Sequence, residues 1–494
     1  MEDKIKKQKN NRGKNTPVTY IVRCLVIIML IVSGIFIVKS VQTKMLPNKY
    51  IFAVGVMIIL FGAIAWATSR KKGVAIIMSI ISILLIAGIS YGTLAVVRLD
   101  RTLNKISTDS RLEIVQMAVV VPVSDEAVTV SDVAGYLIGY NESDNASGDM
   151  MIELSKNLSK EAEYTGYPNV IFLADSLLNG DEQAIILNSA YVEIISEVEG
   201  YEDFSDRVKI LDTIPVETVA DYDMEDTDIE EKEPYKLSSD EDTFTIYISG
   251  IDTYGSVNTR SRSDVNILAV VNTKTGNIQL INTPRDYYVP LPISNGARDK
   301  LTHAGIYGVE VSEGTLEILY DVEIDYYVRM NFSSFERIID TLGGIDVYSE
   351  YDFTVGNYHY NVGNNHLSGD AALAFSRERH SFLTGDVQRG KNQMEVIKAI
   401  INKMTTKEFL YKYDDVLEEL SDCFQTDMPP ETMYSLVNYQ LDNNISWNVN
   451  SYTVTGFDSH DTTYSMPGFI AYVMVPDDKA VEEAKSLIEK ALTK

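Results

Sequence analysis

Cysteine is nearly missing from this 494-residue chain. Cys24 sits in an apolar run and Cys423 lies far from it, so no internal disulfide staples the fold. Stability must come from buried cores, which domains of this length can build. A basic surface is also lacking. The formal balance of −28 excludes nonspecific nucleic-acid binding, which needs a basic face to displace counterions. Arginine is scarce over long stretches: only Arg207 lies between Leu112 and Thr259, and none follows Arg389. No segment reads as a cleavable signal peptide, because the first apolar run is too long and lacks a small-residue cleavage site.

Against that background, nine arginines gather between Arg260 and Arg389. Met1 to Arg98 carries 14 basic and 2 acidic residues, whereas the remaining 396 carry 29 basic against 69 acidic. Solvation alone would scatter arginines through an acidic chain. Planar, permanently charged forks collected in one region point to a bound phosphate or carboxylate.

Val18–Val38, Ile51–Thr68 and Val74–Val97 are apolar runs of 21, 18 and 24 residues. About 20 helical residues cross a hydrocarbon core, so each is expected to span a membrane. Arg23, near one end, can snorkel. Lys4, Lys6, Lys7, Lys9, Arg12 and Lys14 precede the first run, and Arg70, Lys71 and Lys72 fill the second turn. The positive-inside rule puts both on the cytoplasmic side and everything after Arg98 outside. The three lysines of Lys39–Lys49 run against it.

The expected organisation is a basic tail (1–17), three spans (18–98), an accessory α/β domain (111–218), an acidic linker (219–242), a main domain (243–405) and a C-terminal extension (406–494) packing on the core. Leu99–Ser110 reads as a connector. Ile114–Val123, Val170–Leu173 and Ala184–Leu187 read as strands, and Thr129–Tyr140 as a helix beginning near Ser131. The linker's carboxylates repel one another; a solvated spacer is the reading, cation binding the alternative. Phe244–Ile251, Val265–Val271 and Ile278–Asn282 read as strands, the last two joined by a hairpin loop with Gly276 at φ > 0. Ser333 and Glu336 have capping-box spacing for a helix that stops at Gly343-Gly344, Ser368 can cap a short helix through Ala374, and Asp386–Met404 carries an apolar stripe. Asp478–Thr493 reads as a final amphipathic helix. Mixed strands and helices give an α/β (α+β) class, with a central mixed sheet flanked by helices.

Asp252 follows the first of the main-domain strands, Arg262 and Asp264 stand just before the second, and Arg285 follows the third. Two carboxylates at one sheet end suit a water-rich Mg²⁺, and the arginines suit phosphate oxygens. The plain alternative is that the carboxylates pair with the arginines as a structural network. A second cluster follows: Arg377 and Arg379, then Asp386, Arg389 and Gln393 along one helix face. Asp386 suits an N-terminal cap as well as a catalytic role.

Ser249-Gly-Ile-Asp-Thr-Tyr-Gly255, Ser261-Arg-Ser-Asp-Val-Asn266, Asn282-Thr-Pro-Arg-Asp286, Phe375-Ser-Arg-Glu-Arg379 and Asp386-Val-Gln-Arg-Gly-Lys-Asn-Gln393 resemble motifs of the LytR–CpsA–Psr family of bacterial cell-envelope proteins. The five fall in family order across Thr243–Met404. The spans and accessory domain look like its streptococcal capsule-synthesis branch. The resemblance implies a Gram-positive cell-membrane phosphotransferase with its large part outside. It would move capsular polysaccharide or a similar glycan from a polyprenyl-pyrophosphate carrier to peptidoglycan, forming a phosphodiester, with pyrophosphate hydrolysis as a side reaction. Asp252 and Asp264 would hold Mg²⁺. Arg262, Arg285, Arg377, Arg379 and Arg389 would clamp the pyrophosphate, with Gln393 beside them and Asp386 orienting them. Asp252, Arg262, Asp264, Arg285 and Arg389 form the expected catalytic set. Lys300 is a candidate head-group lysine, and its neighbour His303 reads as structural. The alternative is a non-catalytic regulator or scaffold that binds the lipid, with the spans contacting other capsule-assembly membrane proteins.

Overall fold

The computed structural model describes residues 17–43, 48–107, 112–219, 243–253, 256–383, 385–406, 409 and 413–493. The basic tail through residue 16 and linker residues 220–242 lie outside them.

Three helices, Pro17–Gln42 (α1), Asn48–Thr68 (α2) and Lys72–Ile106 (α3), are long and apolar enough to cross a membrane. Each contains one of the apolar runs. The connector reading of Leu99–Ser110 fails, because α3 continues unbroken to Ile106. Leu99, Leu103 and Ile106 recur on one helical face and are buried against Tyr434 of the C-terminal region.

The accessory domain is a five-stranded sheet built from Leu112–Pro122 (β1), Leu137–Asn141 (β2), Glu163–Tyr167 (β3), Ala184–Asn188 (β4) and Val208–Val219 (β5), in the order β3-β2-β4-β1-β5. Helices Ala146–Asn157 (α4) and Val170–Asn179 (α5) pack against it, and the short helix Tyr191–Ser196 (α6) follows β4. Two expectations are corrected. Val170–Leu173 opens a helix rather than a strand, since Asn169 caps it by accepting from the Ile171 and Phe172 amides and Gly180 closes it at φ +81°. Thr129–Tyr140 forms only a 3₁₀ turn at Val130–Val133 before the chain extends into β2.

The main sheet has six strands: Thr243–Ile251 (β6), Ser263–Asn272 (β7), Asn277–Thr283 (β8), Tyr326–Asn331 (β9), Gln425–Thr426 (β10) and Asn448–Thr453 (β11), ordered β10-β9-β6-β7-β8-β11. β6, β7 and β8 are antiparallel neighbours, whereas β9 runs parallel to β6 and β11 parallel to β8. Gly276 takes φ +67° in the β7–β8 turn. Residues 406–494, expected beside the core, contribute both edge strands.

Alternation sends successive side chains to opposite faces. Ile267, Ala269 and Leu280 bury with helices Phe332–Thr341, Gly369–Arg377 and Gly385–Met404, through Ile339, Phe375 and Met394. Leu268, Val270 and Ile281 bury on the other face with helices Val309–Tyr320 and Asp478–Thr493, through Leu316, Ala484 and Ile488. The result is a helix–sheet–helix sandwich. Asn331, rather than Ser333, caps the helix after β9, its side chain accepting from the Ser334 amide at 3.0 Å. Gly343 and Gly344 end that helix at positive φ. The helix after Ser368 extends past Ala374 and includes Arg377.

Candidate functional site: an arginine-lined pocket shared by two domains

Sheet topology does the collecting. Parallel β6 and β9 end at the edge where antiparallel β7 begins and β8 ends. Asp252, Arg262, Asp264 and Arg285 therefore meet at one rim. The Asp252 amide donates to the Arg262 carbonyl at 3.0 Å, fixing the two segments together. A cavity of about 530 Å³ opens there. Its wall includes Asp252, Arg262, Asp264, Arg285, Arg377, Arg379, Arg389 and Gln393. Every expected site residue except Asp386 and Lys300 lines it; the Asp386 side chain lies outside the described residues. Ile248, Val265, Phe335, Leu373, Val396 and Ile397 supply an apolar wall. The Arg377 guanidinium lies 4.3 Å from the Phe332 ring centroid, a cation–π distance that fixes its plane.

The carboxylates pair with the arginines, as the plain alternative anticipates. Asp252 accepts from Arg262, and Asp264 accepts from Arg285 Nη1 with both oxygens at 3.1 Å. Thr302 Oγ1 adds a bond to Asp264 at 3.1 Å. The two carboxyls are shifted in opposite directions. Burial and then the nearby Asp264 charge push Asp252 up, more than Arg262 pulls it down. Burial also opposes ionisation of Asp264, but Arg285, Arg262 and Arg389 outweigh it and hold that carboxyl low. Two carboxyls close enough to repel across one rim fit a hard divalent ion that takes oxygen ligands. No group of three or more metal-binding side chains exists among the described residues, so such an ion would draw its other ligands from water and phosphate.

Sequence reasoning missed the accessory domain's contribution. Glu193 on α6 and Glu197 just after it reach into the same pocket. Glu197 accepts from Arg262 Nη1 at 3.1 Å, lies 3.7 Å from Arg285 Nη2 and pairs with Lys300. Burial alone would raise its pKa, yet Lys300, His303 and Arg285 bring it down to about 2. Lys300 is buried at the rim, with Asp286 3.5 Å away. The i, i+4 acidic pair on a six-residue helix carries no local signal, since its meaning depends on domain packing.

His303 has the structural character expected of it. Its Nδ1 lies 2.7 Å from Asp299 and 2.9 Å from Ser465 Oγ. Serine and aspartate meet the same ring nitrogen, so the three residues cannot relay a proton as a hydrolytic triad does, which needs one partner on each nitrogen.

The LytR_cpsA_psr family profile matches residues 214–485. The polyisoprenyl-teichoic acid–peptidoglycan teichoic acid transferase TagU of Bacillus cereus is 33% identical over 237 residues, covering 48% of this chain and 75% of its own. The TagU of Bacillus mycoides is 34% identical over 212 residues, covering 43% and 68%. Among solved structures, B. subtilis TagV aligns with TM-score 0.44 at 25% identity, over 51% of this chain and 98% of its own. TagT bound to LI-WTA aligns with TM-score 0.42 at 27% identity, over 53% and 96%. With more than half of its length matched by the family profile, the chain belongs to the LytR–CpsA–Psr family.

Proposed function

We propose that this protein is a membrane-anchored glycopolymer transferase that moves a capsular or similar glycan from a polyprenyl-pyrophosphate carrier to peptidoglycan. An acceptor hydroxyl attacks the sugar-side phosphorus, polyprenyl phosphate leaves, and a phosphodiester joins glycan to wall. One observation carries the reading: a single cavity brings five arginines, four carboxylates and an apolar wall together. The relatives named as transferases from polyisoprenyl carriers to peptidoglycan support the same class.

Arg262, Arg285, Arg377, Arg379 and Arg389 would hold the pyrophosphate oxygens, with Gln393 as a neutral donor. Transfer of a phosphoryl centre needs placement and charge neutralisation more than covalent help, which planar donors on rigid elements provide. The apolar wall would receive the first isoprene units. Asp252 and Asp264 are the residues that would hold Mg²⁺, which supplies Lewis-acid neutralisation of phosphate charge. Asp252, the carboxyl with the raised pKa, is the better placed of the two to accept the acceptor's proton.

The test is transfer itself. The full chain in detergent, given a lipid-pyrophosphate-linked glycan and peptidoglycan oligomers, should yield a glycan–muropeptide phosphodiester detectable by mass spectrometry. Lipid binding with no product under any metal condition would instead establish the regulator reading.

A further inference from the structure

Both terminal nitrogens of Arg262 are taken. Nη1 donates to Glu197 Oε1 at 3.1 Å, and Nη2 donates to Glu193 Oε2 at 2.6 Å and to Asp252. This buried guanidinium spends three of its four terminal N–H donors on carboxylates, both of those on Nη2 among them. Arg285 gives Nη1 to Asp264, and its Nη2 meets Glu197 only at 3.7 Å.

The two accessory glutamates are held unequally. Glu197 is 22% exposed and shares Lys300, Arg262 and Arg285. Glu193 is 68% exposed and reaches Arg262 from the cavity mouth. An exposed carboxylate gives up an ion pair at little cost, since water replaces the arginine, whereas a buried one does not. Both residues precede the family-matched segment that begins at residue 214, so this chain adds them to the family pocket from a separate domain.

We propose that Glu193 is an internal competitor for the phosphate site: its carboxylate stands on the Arg262 nitrogen that a phosphate oxygen would take, and an entering phosphate or pyrophosphate group displaces it. Glu197 stays behind as the fixed contact that keeps α6 in register. Head-group entry thereby breaks one of the two contacts between the accessory domain and Arg262, and the affinity of the pocket depends on that domain. The inference rests on reading the arginines as a phosphate site.

Calorimetric titration of inorganic pyrophosphate into the detergent-solubilised full chain, in metal-free buffer, tests it. Glu193→Gln keeps the side-chain volume and removes the competing charge, and should tighten pyrophosphate binding by about tenfold. Glu199→Gln removes a neighbouring accessory-domain carboxylate off the arginine, and should change affinity less than about twofold by the screening of exposed charges. Unchanged or weaker binding by Glu193→Gln overturns the proposal. So does equal tightening by Glu199→Gln, which would reduce the effect to overall charge. Pyrophosphate binding to no variant, wild type included, would overturn the phosphate-site reading and this proposal with it.

Discussion

Glu113, at the start of the accessory sheet, accepts from Arg329 of the main sheet at 2.7 Å, with both side chains almost completely buried. Its other oxygen takes Arg260 Nε at 2.5 Å, and Arg329 also donates to Gln425 of β10. One carboxylate thus joins three parts of the chain. Glu113→Ala removes the carboxylate that two buried guanidiniums share, and a broken buried pair costs about 3–5 kcal/mol. Thermal unfolding should show a large fall in Tm. A fall no greater than for an exposed glutamate substitution would mean that the domains are held by apolar contact alone.

Glu197 makes stability depend on acid. Its folded pKa of about 2 lies below the ordinary 4.5, so the ion pairs contribute fully above about pH 4.5 and lose their contribution as pH falls towards 2. The Tm difference between wild type and Glu197→Gln should be constant near neutrality and shrink through that window. A constant difference down to pH 2.5 would show that the carboxylate is not held by its cations.

Metal and clamp separate by substitution. Arg389→Ala should weaken polyprenyl-pyrophosphate binding by about ten- to a hundredfold through loss of a charge-assisted contact, with lysine restoring charge but not full affinity. Asp264→Asn should abolish the Mg²⁺ dependence of turnover while the domain stays folded. Unaltered Mg²⁺ dependence would make Asp264 a partner of Arg285 and nothing more.

Gly305 packs against the backbone that carries Arg262. A Cβ there would sit 2.5 Å from the Ser261 carbonyl oxygen and 2.8 Å from the Ser263 nitrogen. Neither atom can rotate away, so Gly305→Ala must displace the segment, at about 1–3 kcal/mol. Glycan transfer should drop more than the Tm shift explains. Full activity would show that the rim tolerates movement.

Orientation is open to a reporter. A cytoplasm-only reporter enzyme fused after Lys494 should be silent. Lys49, at the start of α2, has its Nζ 3.5 Å from Asp442 of the C-terminal extension. Reporter activity would invert the arrangement.

The three long apolar helices and strands β6 to β8 were legible because length and β-branched runs between turn residues are local signals. The arginines of the rim were legible by composition, and their grouping by motif order. Val170–Leu173 misled because a short buried apolar run suits either a strand or a helix, and only Asn169 and Gly180 decide it. Glu193 and Glu197 were invisible for a different reason: nothing within α6 says what it will face once two domains pack. The edge strands from residues 406–494 were missed likewise, being short and polar.

The unbroken run of α3 turns the anchor into a mast. About 12 Å of helix rises from Arg98 to Ile106, at 1.5 Å per residue. Leu99, Leu103 and Ile106 clamp that segment to Tyr434. With α3 crossing a membrane, as its length and apolarity allow, helix length would set the standoff of the arginine pocket from the bilayer. A one-turn insertion would lift the pocket by roughly 5 Å and rotate it little, so reach to a membrane-tethered lipid can be tuned without touching a single pocket residue.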